Sequence, residues 1–354
     1  MTQTPQLNTA GGRSTDLPPA VSAQLNGSTF FRYLSFKVIS AAVSLLIIMV
    51  IGFVIFNLMP ANPVVALTRG RPTSPQQMAV LREQLHLDQP VFERFFSFVS
   101  STIHGDLGHS WQYNQSVSSL IGERIGPTLL LTLTAAFFSV LLGLWVGVRS
   151  GWKEGSVFDR INSSIALTLW SVPTFWLGLI LLVGFSVGFG PFHGIFPAGG
   201  MSTPGFSGNE FQKAIDVAHH LFLPCLTLVL VVYAQYSSIM RSSIIDEKGS
   251  PYLLTARAKG LRDNDVRRKH AVPSALLPTI TLIFLQLGGV IGGAIAVETV
   301  YSWPGLGYLT YEALQIPDLP LLEGTFMVFS VAVILTNLLA DLLYRYLDPR
   351  VRAQ

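Results

Sequence analysis

The sequence predicts an all-α polytopic membrane protein with six transmembrane helices, and three observations predict it. Half of the 354 residues are apolar and only 12% are charged, against about 25% charged in soluble domains. Six runs of roughly twenty residues are nearly free of charge, which is the length a helix needs to cross the bilayer core. Between those runs, Lys and Arg gather in alternate loops.

The runs are Val38–Met59, Thr128–Val148, Asn162–Phe189, Leu221–Met240, Ala275–Val297 and Gly324–Leu343. The third is long enough to tilt or to end in a short extracytoplasmic segment, and Pro173 predicts a kink within it. The sixth is the shortest because Asp341 interrupts it. Arg345 follows four residues on, the spacing of an ion pair at a helix end, with a proton relay as the alternative. The second run carries Gly143 and Gly147. The fifth carries Gly288, Gly289, Gly292 and Gly293, two overlapping Gly-x-x-x-Gly pairs that let backbones approach within a membrane. These glycines are assigned to helix packing, inside the chain or against a second subunit, or to the lining of a pathway. Gln235, Thr279, Thr281 and Gln286 fit either contact with a passing solute or an interhelical hydrogen bond.

Placing the N-terminus inside puts seventeen of the 23 Lys and Arg residues on one face, eight of them between Arg241 and Lys269. Both termini are therefore expected in the cytoplasm. Residues 1–33 are polar and lack periodic hydrophobicity, so a disordered tail is expected there rather than a signal peptide. The membrane region then covers 34–348, and a short cytoplasmic C-terminus covers 349–354. The outside segment 60–127 opens on Pro60-Ala61-Asn62-Pro63. Ser74-Pro75-Gln76-Gln77-Met78 is a helix start with Pro at the first helical position. Met78, Leu81, Leu85, Val91, Phe95, Phe98 and Val99 give this segment an apolar side, for packing on the membrane region or for docking a soluble partner.

Several activities are excluded or weakened by what the chain lacks. Cys225 is the one cysteine, so there is no internal disulfide framework or zinc cluster of Cys pairs, and its apolar surroundings predict a buried small hydrophobe. The net charge of +3 leaves no footprint for nucleic acid. No Gly-Lys pair exists, so ATP chemistry belongs elsewhere. No His-Glu-x-x-His occurs, and His219-His220 is expected to be solvated or interfacial at a helix start. The spans are almost empty of ionisable groups, Glu298 at the outer end of the fifth being the nearest approach, so an ion-coupled carrier or channel is disfavoured. No enzymatic reaction and no metal site is expected.

The most informative segment is the inside loop 241–272. Leu253, Leu254, Ala256, Arg257, Ala258 and Lys259 are good helix formers, and Gly260 stands where a C′ residue ends a short helix. Asp263 or Asn264 is positioned to cap the next helix. Small residues at Ala256, Ala258 and Gly260 allow close approach of another surface, while Arg257 and Lys259 add charge. On charge alone, a loop that merely fixes topology remains open.

Ala256-x-Ala258-x-Gly260, followed by His270-Ala271-Val272-Pro273, resembles the EAA loop of permease subunits in ATP-binding-cassette importers. Thr255 to Leu261, His270-Ala271 and Ala275-Leu276-Leu277-Pro278 are more closely similar to the peptide-permease branch, whose members include dipeptide, oligopeptide and nickel importers. The resemblance extends over nearly all of the chain after residue 34. It includes Gln84 to Pro90, Gly105-Asp106-Leu107-Gly108-His109-Ser110, Ser171 to Gly178, Glu298 to Gly307 and Asp348 to Arg352. Thr255 stands where the general motif is acidic, and Pro273-Ser274 replaces a common Arg-Asn. The resemblance implies a type I importer permease fold in a bacterial or archaeal cytoplasmic membrane. It implies a heterodimer with a second permease, two ATPase subunits that carry ATP and magnesium, and an extracytoplasmic solute-binding protein, with lipid around the spans. This chain itself would bind no cofactor. The resemblance also implies ATPase coupling through Thr255, Ala256, Arg257, Ala258, Lys259, Gly260, Leu261 and Asp265. Peptides are the expected cargo, with nickel complexes or oligosaccharides as alternatives.

Overall fold

The computed structural model describes residues 27–58, 76, 90–189 and 192–347. Its helices are α1 (Gly27–Leu58), α2 (Val91–Ile103), α3 (Val117–Trp152), α4 (Val157–Ser171), α5 (Thr174–Leu182), α6 (Glu210–Lys248), α7 (Pro251–Ala258), the single turn α8 (Asp263–Asp265), α9 (Val272–Val300), α10 (Leu306–Gln315) and α11 (Leu319–Leu347). A π-turn at Val183–Val187 follows α5, and another at Val266–Ala271 leads into α9. The strands β1 (Gly188–Phe189) and β2 (Phe192–His193) make a minimal antiparallel ribbon. Residues 1–40 and 41–354 are two units. In the first, helix already begins at Gly27, inside the stretch expected as tail, and Lys37 Nζ lies 5.8 Å from the Tyr33 ring centroid. Everything below concerns the second.

Four described helices are long and apolar enough to span a membrane, or five if the bent α4–α5 pair counts as one. The remaining expected span, the fifth, falls on α9, whose 29 residues extend about 43 Å at 1.5 Å per residue. The side-chain surroundings of residues 281 and 285–293 on α9 lie outside the described residues, including Thr281, Gln286 and the four paired glycines. So do Met78, Leu81, Leu85, Gln84–Gln89 and Asp348–Arg352, together with the side chain of Arg345.

The observed helices outrun the apolar windows because their ends are held by caps rather than by hydrophobicity. Before α6, Asn209 accepts from the Gln212 N–H (2.9 Å) and Gln212 Oε1 accepts from the Asn209 N–H (3.0 Å), a complete capping box. The helix therefore starts at Glu210, well ahead of Leu221, and His219 and His220 stand inside it. His220 is 6% exposed, with Nδ1 2.9 Å from the Asp216 carbonyl oxygen. The expectation of a solvated or interfacial pair thus fails for His220 as a solvated residue, while His219 is exposed. Ser116 likewise caps α3, and Ser156 caps α4.

Pro173 does more than kink the third span. The α4 and α5 axes differ by 105° across it, since Val172 is held extended before the proline and Pro173 has no N–H to donate. Cys225, 8% exposed, is buried in the α3–α6–α9 core as expected.

The tightest packing is α3 on α6. A Cβ on Gly143 would lie 2.6 Å from Tyr236 Cβ, one on Gly147 2.7 Å from Met240 Cβ, and one on Gly151 2.6 Å from the Arg241 carbonyl oxygen. These glycines at intervals of four residues make one face on which only hydrogen fits. Polar groups pin the same seam at its basic end. Asn162 Nδ2 donates to Ser237 Oγ (3.0 Å) and Ser150 Oγ (3.2 Å), and Arg241 binds Asp159 through two hydrogen bonds of 2.6 and 2.9 Å. Such a forked pair, with Asp159 buried, ties α4 to α6.

Candidate functional site: the loop between α6 and α9

Helix α7 starts at Pro251, in the position where a missing N–H costs nothing. It ends in a Schellman motif: Gly260 N–H donates to the Arg257 carbonyl (2.9 Å) and Leu261 N–H to the Ala256 carbonyl (3.4 Å). Gly260 has φ +80°, the left-handed conformation that glycine adopts without penalty, so its expected place as C′ residue is what the backbone requires.

One face of α7 is buried. Leu253 and Ala256 pack with Trp152 of α3, Met240 and Ile244 of α6, and Val266, Ala271 and Ala275 around the start of α9. Three spans thus meet beneath a helix of two turns. Thr255, Arg257, Ala258, Lys259, Gly260 and Leu261 are exposed. Ala256 is set apart from the small exposed residues: it faces inward, where its size admits the neighbouring cluster. A Cβ on Gly260 would meet nothing within 4 Å in this chain.

The turn after α7 is held by polar contacts to the spans. Trp152 Nε1 donates to Asp263 Oδ2 (2.7 Å). Arg257 lies over the Trp152 ring at 5.7 Å and stands 4.0 Å from Asp263 Oδ1. Neither Asp263 nor Asn264 caps the turn that follows, contrary to expectation. Arg262 occupies the N-cap position, Asp263 is engaged by Trp152, and Asn264 Oδ1 accepts from Arg267 (2.6 Å). Asp265 pairs with Lys269 at 3.2 Å. At the other end, Tyr252 donates to Glu247 Oε2 (2.5 Å). Burial, then this hydrogen bond, pushes its hydroxyl above the ordinary tyrosine range, so it remains a donor.

The opposite end of the membrane region has its own plate. Glu298 is fully buried and accepts from the Thr128 hydroxyl (2.7 Å) and the Tyr308 N–H (3.0 Å), while Thr128 Oγ1 accepts from the Leu306 N–H (2.8 Å). Tyr301 donates to the Gly178 carbonyl oxygen (3.0 Å) and meets Thr227 at the same distance, joining α5, α6 and α9. Ser110 donates to Asp318 (2.5 Å), and Tyr113 donates to Glu312 (2.9 Å). Burial, reinforced by Glu312, pushes the Tyr113 hydroxyl up to about 12. These partners account physically for the motifs at 105–110, 171–178 and 298–307: they are the fastenings between α3, α5, α9, α10 and the α10–α11 turn. Helix α2 is fastened by rings, Phe95 and Phe98 lying 5.3 and 5.9 Å from Phe53 of α1. Among the described residues no group of three His, Cys, Asp or Glu side chains is placed to hold a metal ion.

With this geometry in view, comparison with known proteins identifies the family. Residues 139–353 match the family of binding-protein-dependent transport system inner membrane components, and residues 30–132 match the N-terminal region of the same membrane components. The dipeptide transport system permease protein DppB of Escherichia coli K12 is 35% identical over 318 residues, covering 86% of this chain and 94% of that protein. The glutathione transport system permease protein GsiC of Salmonella choleraesuis is 35% identical over 309 residues, covering 87% and 95%. A chain from inward-facing structures of the methionine transporter MetNI matches in fold at a TM-score of 0.50 and 19% identity, over 65% of this chain and 96% of its own length. The chain therefore belongs to the family of inner-membrane components of binding-protein-dependent transport systems, as a multi-pass permease subunit of an ATP-binding-cassette importer.

Proposed function

We propose that this permease subunit carries peptides inward, and that α7 with its terminal turn is the surface on which a separate ATPase subunit acts. The observation that carries the reading is the two-sided build of α7. Leu253 and Ala256 are locked into the ends of α3, α6 and α9, while Thr255, Ala258, Lys259, Gly260 and Leu261 are exposed. A push on the outer face is thereby delivered to three spans at once. Arg257 and Asp265 supply charge at the edge of that surface, and Gly260 lets a partner approach the backbone.

In this reading two ATPases, each holding ATP and magnesium, serve a pair of homologous permeases, and a solute-binding protein delivers cargo on the outer side. The chain itself contributes no catalytic residue. Peptide cargo is supported by the relatives named for dipeptide and glutathione transport. The glycines Gly288, Gly289, Gly292 and Gly293 are assigned to packing against the second permease or to the pathway wall.

Gly260 offers the test. A Cβ there meets nothing within this chain, but φ +80° strains any side chain, so the effect of bulk on the partner is read against a small residue in the same conformation. Asn tolerates the left-handed conformation. Gly260→Asn is expected to keep peptide-stimulated ATP hydrolysis in the reconstituted complex within about threefold of wild type, and Gly260→Trp to lower it more than about tenfold, the loss of about 1.4 kcal/mol or more of coupling. Full coupling in Gly260→Trp would remove α7 from the ATPase interface.

A further inference from the structure

We propose that the groove between the basic end of α3 and the start of α9 binds the phosphate headgroup of an anionic phospholipid from the cytoplasmic leaflet. The site is a pocket of about 520 Å³. Arg149 and Lys153 line it from the end of α3, and Arg267 and Arg268 from the π-turn; Val148 and Val272 make its apolar wall. No carboxylate lines it.

The acids nearby are engaged with other partners: Glu154 with Lys248, Asp159 with Arg241, Asp263 with Arg257 and Trp152, and Asp265 with Lys269. Among the described residues no carboxylate stands within ion-pairing distance of Arg149, Lys153, Arg267 or Arg268. Four cations thus share one concavity with no local counter-ion, an arrangement that draws an anion.

The pocket's depth in the membrane selects lipid over the acidic face of a cytoplasmic protein. Trp145 lines it one turn inward from Arg149, is 59% exposed, and belongs to the apolar stretch of α3. Tryptophan in such a place sits at the headgroup level of a bilayer. The Arg149 guanidinium lies over the Trp145 and Phe158 rings, at 5.8 and 5.0 Å, which fixes it at that depth. A phosphate held by Arg149, Lys153 and Arg268 would place its acyl chains along Trp145 and Val148. Basic pockets between helices on this side of a membrane are suited to such headgroups. The inference does not depend on the cargo or on the role of α7.

The test uses the purified full-length chain in nanodiscs of equal parts phosphatidylglycerol and phosphatidylcholine, released for native mass spectrometry. Wild type is expected to retain phosphatidylglycerol preferentially. Arg149→Gln/Lys153→Gln/Arg268→Gln is expected to lose that preference by about tenfold or more, while Arg160→Gln/Arg262→Gln, which removes charge from the same face without freeing a carboxylate beside the pocket, is expected to keep it. Equal loss in both would reduce the effect to general surface charge and overturn the proposal. Displacement of the lipid by millimolar inorganic phosphate would also overturn it, because the ligand would then be a free anion. A triple variant that keeps its lipid but no longer co-purifies with ATPase subunits would reassign the pocket to protein docking. A second reading keeps all four basic residues in place. Brominated phosphatidylglycerol should quench the fluorescence component lost in Trp145→Phe at least about twofold more than brominated phosphatidylcholine, given the attraction of the cationic pocket. Equal quenching would count against a headgroup site.

Discussion

Glu298 shows how a single carboxyl group can be used as structure. Helix α10 begins with Gly305 at its N-cap, a residue with no side chain to satisfy the first free N–H groups. Glu298 and Thr128 supply what is missing from a distance, the first accepting from Tyr308 N–H and the second from Leu306 N–H. Gly305 is then obligatory for a second reason, since a Cβ there would collide with the Glu298 carboxylate. Replacing Glu298 by Ala removes the acceptor for both Tyr308 N–H and the Thr128 hydroxyl inside a closed core. The expected loss is about 2–4 kcal/mol of stability, whereas Glu298→Gln, which keeps one acceptor oxygen and the volume, should lose about half of that or less. Thermal unfolding of the two variants in detergent measures the difference, and equal melting points would deny the capping role.

At the scale of elements, the α3–α6 seam depends on hydrogen atoms where other residues carry methyl groups. Gly147 is its centre, because both Met240 Cβ and the Ser237 carbonyl oxygen would lie 2.7 Å from an added Cβ. The carbonyl belongs to a helix and cannot swing aside, so even Gly147→Ala must part the two helices, at about 1–3 kcal/mol, and Gly147→Leu should abolish stable insertion. Yield and melting temperature of the purified chain check this, with wild-type behaviour in Gly147→Leu as the contrary result. Gly143 and Gly147 were legible in the sequence because they lie inside an apolar run. Gly151 was not, for a physical reason: Arg149 closes the apolar window, yet the helix continues to Trp152 because its packing against Ile244, rather than its contact with lipid, holds the last turn. The same cause hid the start of α6, where Asn209 and Gln212 rather than apolar residues set the boundary. The Gly260 turn was readable because a left-handed residue announces itself locally. The inward face of Ala256 was not, because burial on a helix of two turns depends on which spans converge beneath it.

For the molecule as a whole, the informative contrast lies between its two ends. The Glu298 end is fastened by many buried hydrogen bonds that reach across long stretches of sequence, and it reads as a rigid plate. The α7 end is held to the spans mainly by one apolar cluster and by the Trp152–Asp263 contact, an arrangement that in the proposed coupling would transmit displacement while leaving the outer face exposed. Under the proposed coupling, docking and transmission are therefore separable. Leu253, on the inner face of α7, is fully buried and packs in the apolar cluster rather than on the outward face. Truncation in Leu253→Ala leaves a cavity worth about 2–4 kcal/mol at the base of the lever and leaves Thr255, Lys259 and Gly260 unaltered. In the reconstituted complex the variant should retain its ATPase subunits at wild-type stoichiometry and still hydrolyse ATP, yet move about tenfold less peptide per ATP, the equivalent of about 1.4 kcal/mol lost in transmission. A variant that sheds its ATPase subunits would instead show that Leu253 shapes the docking surface itself, and unchanged transport per ATP would show that the apolar cluster is not the route by which α7 moves the spans.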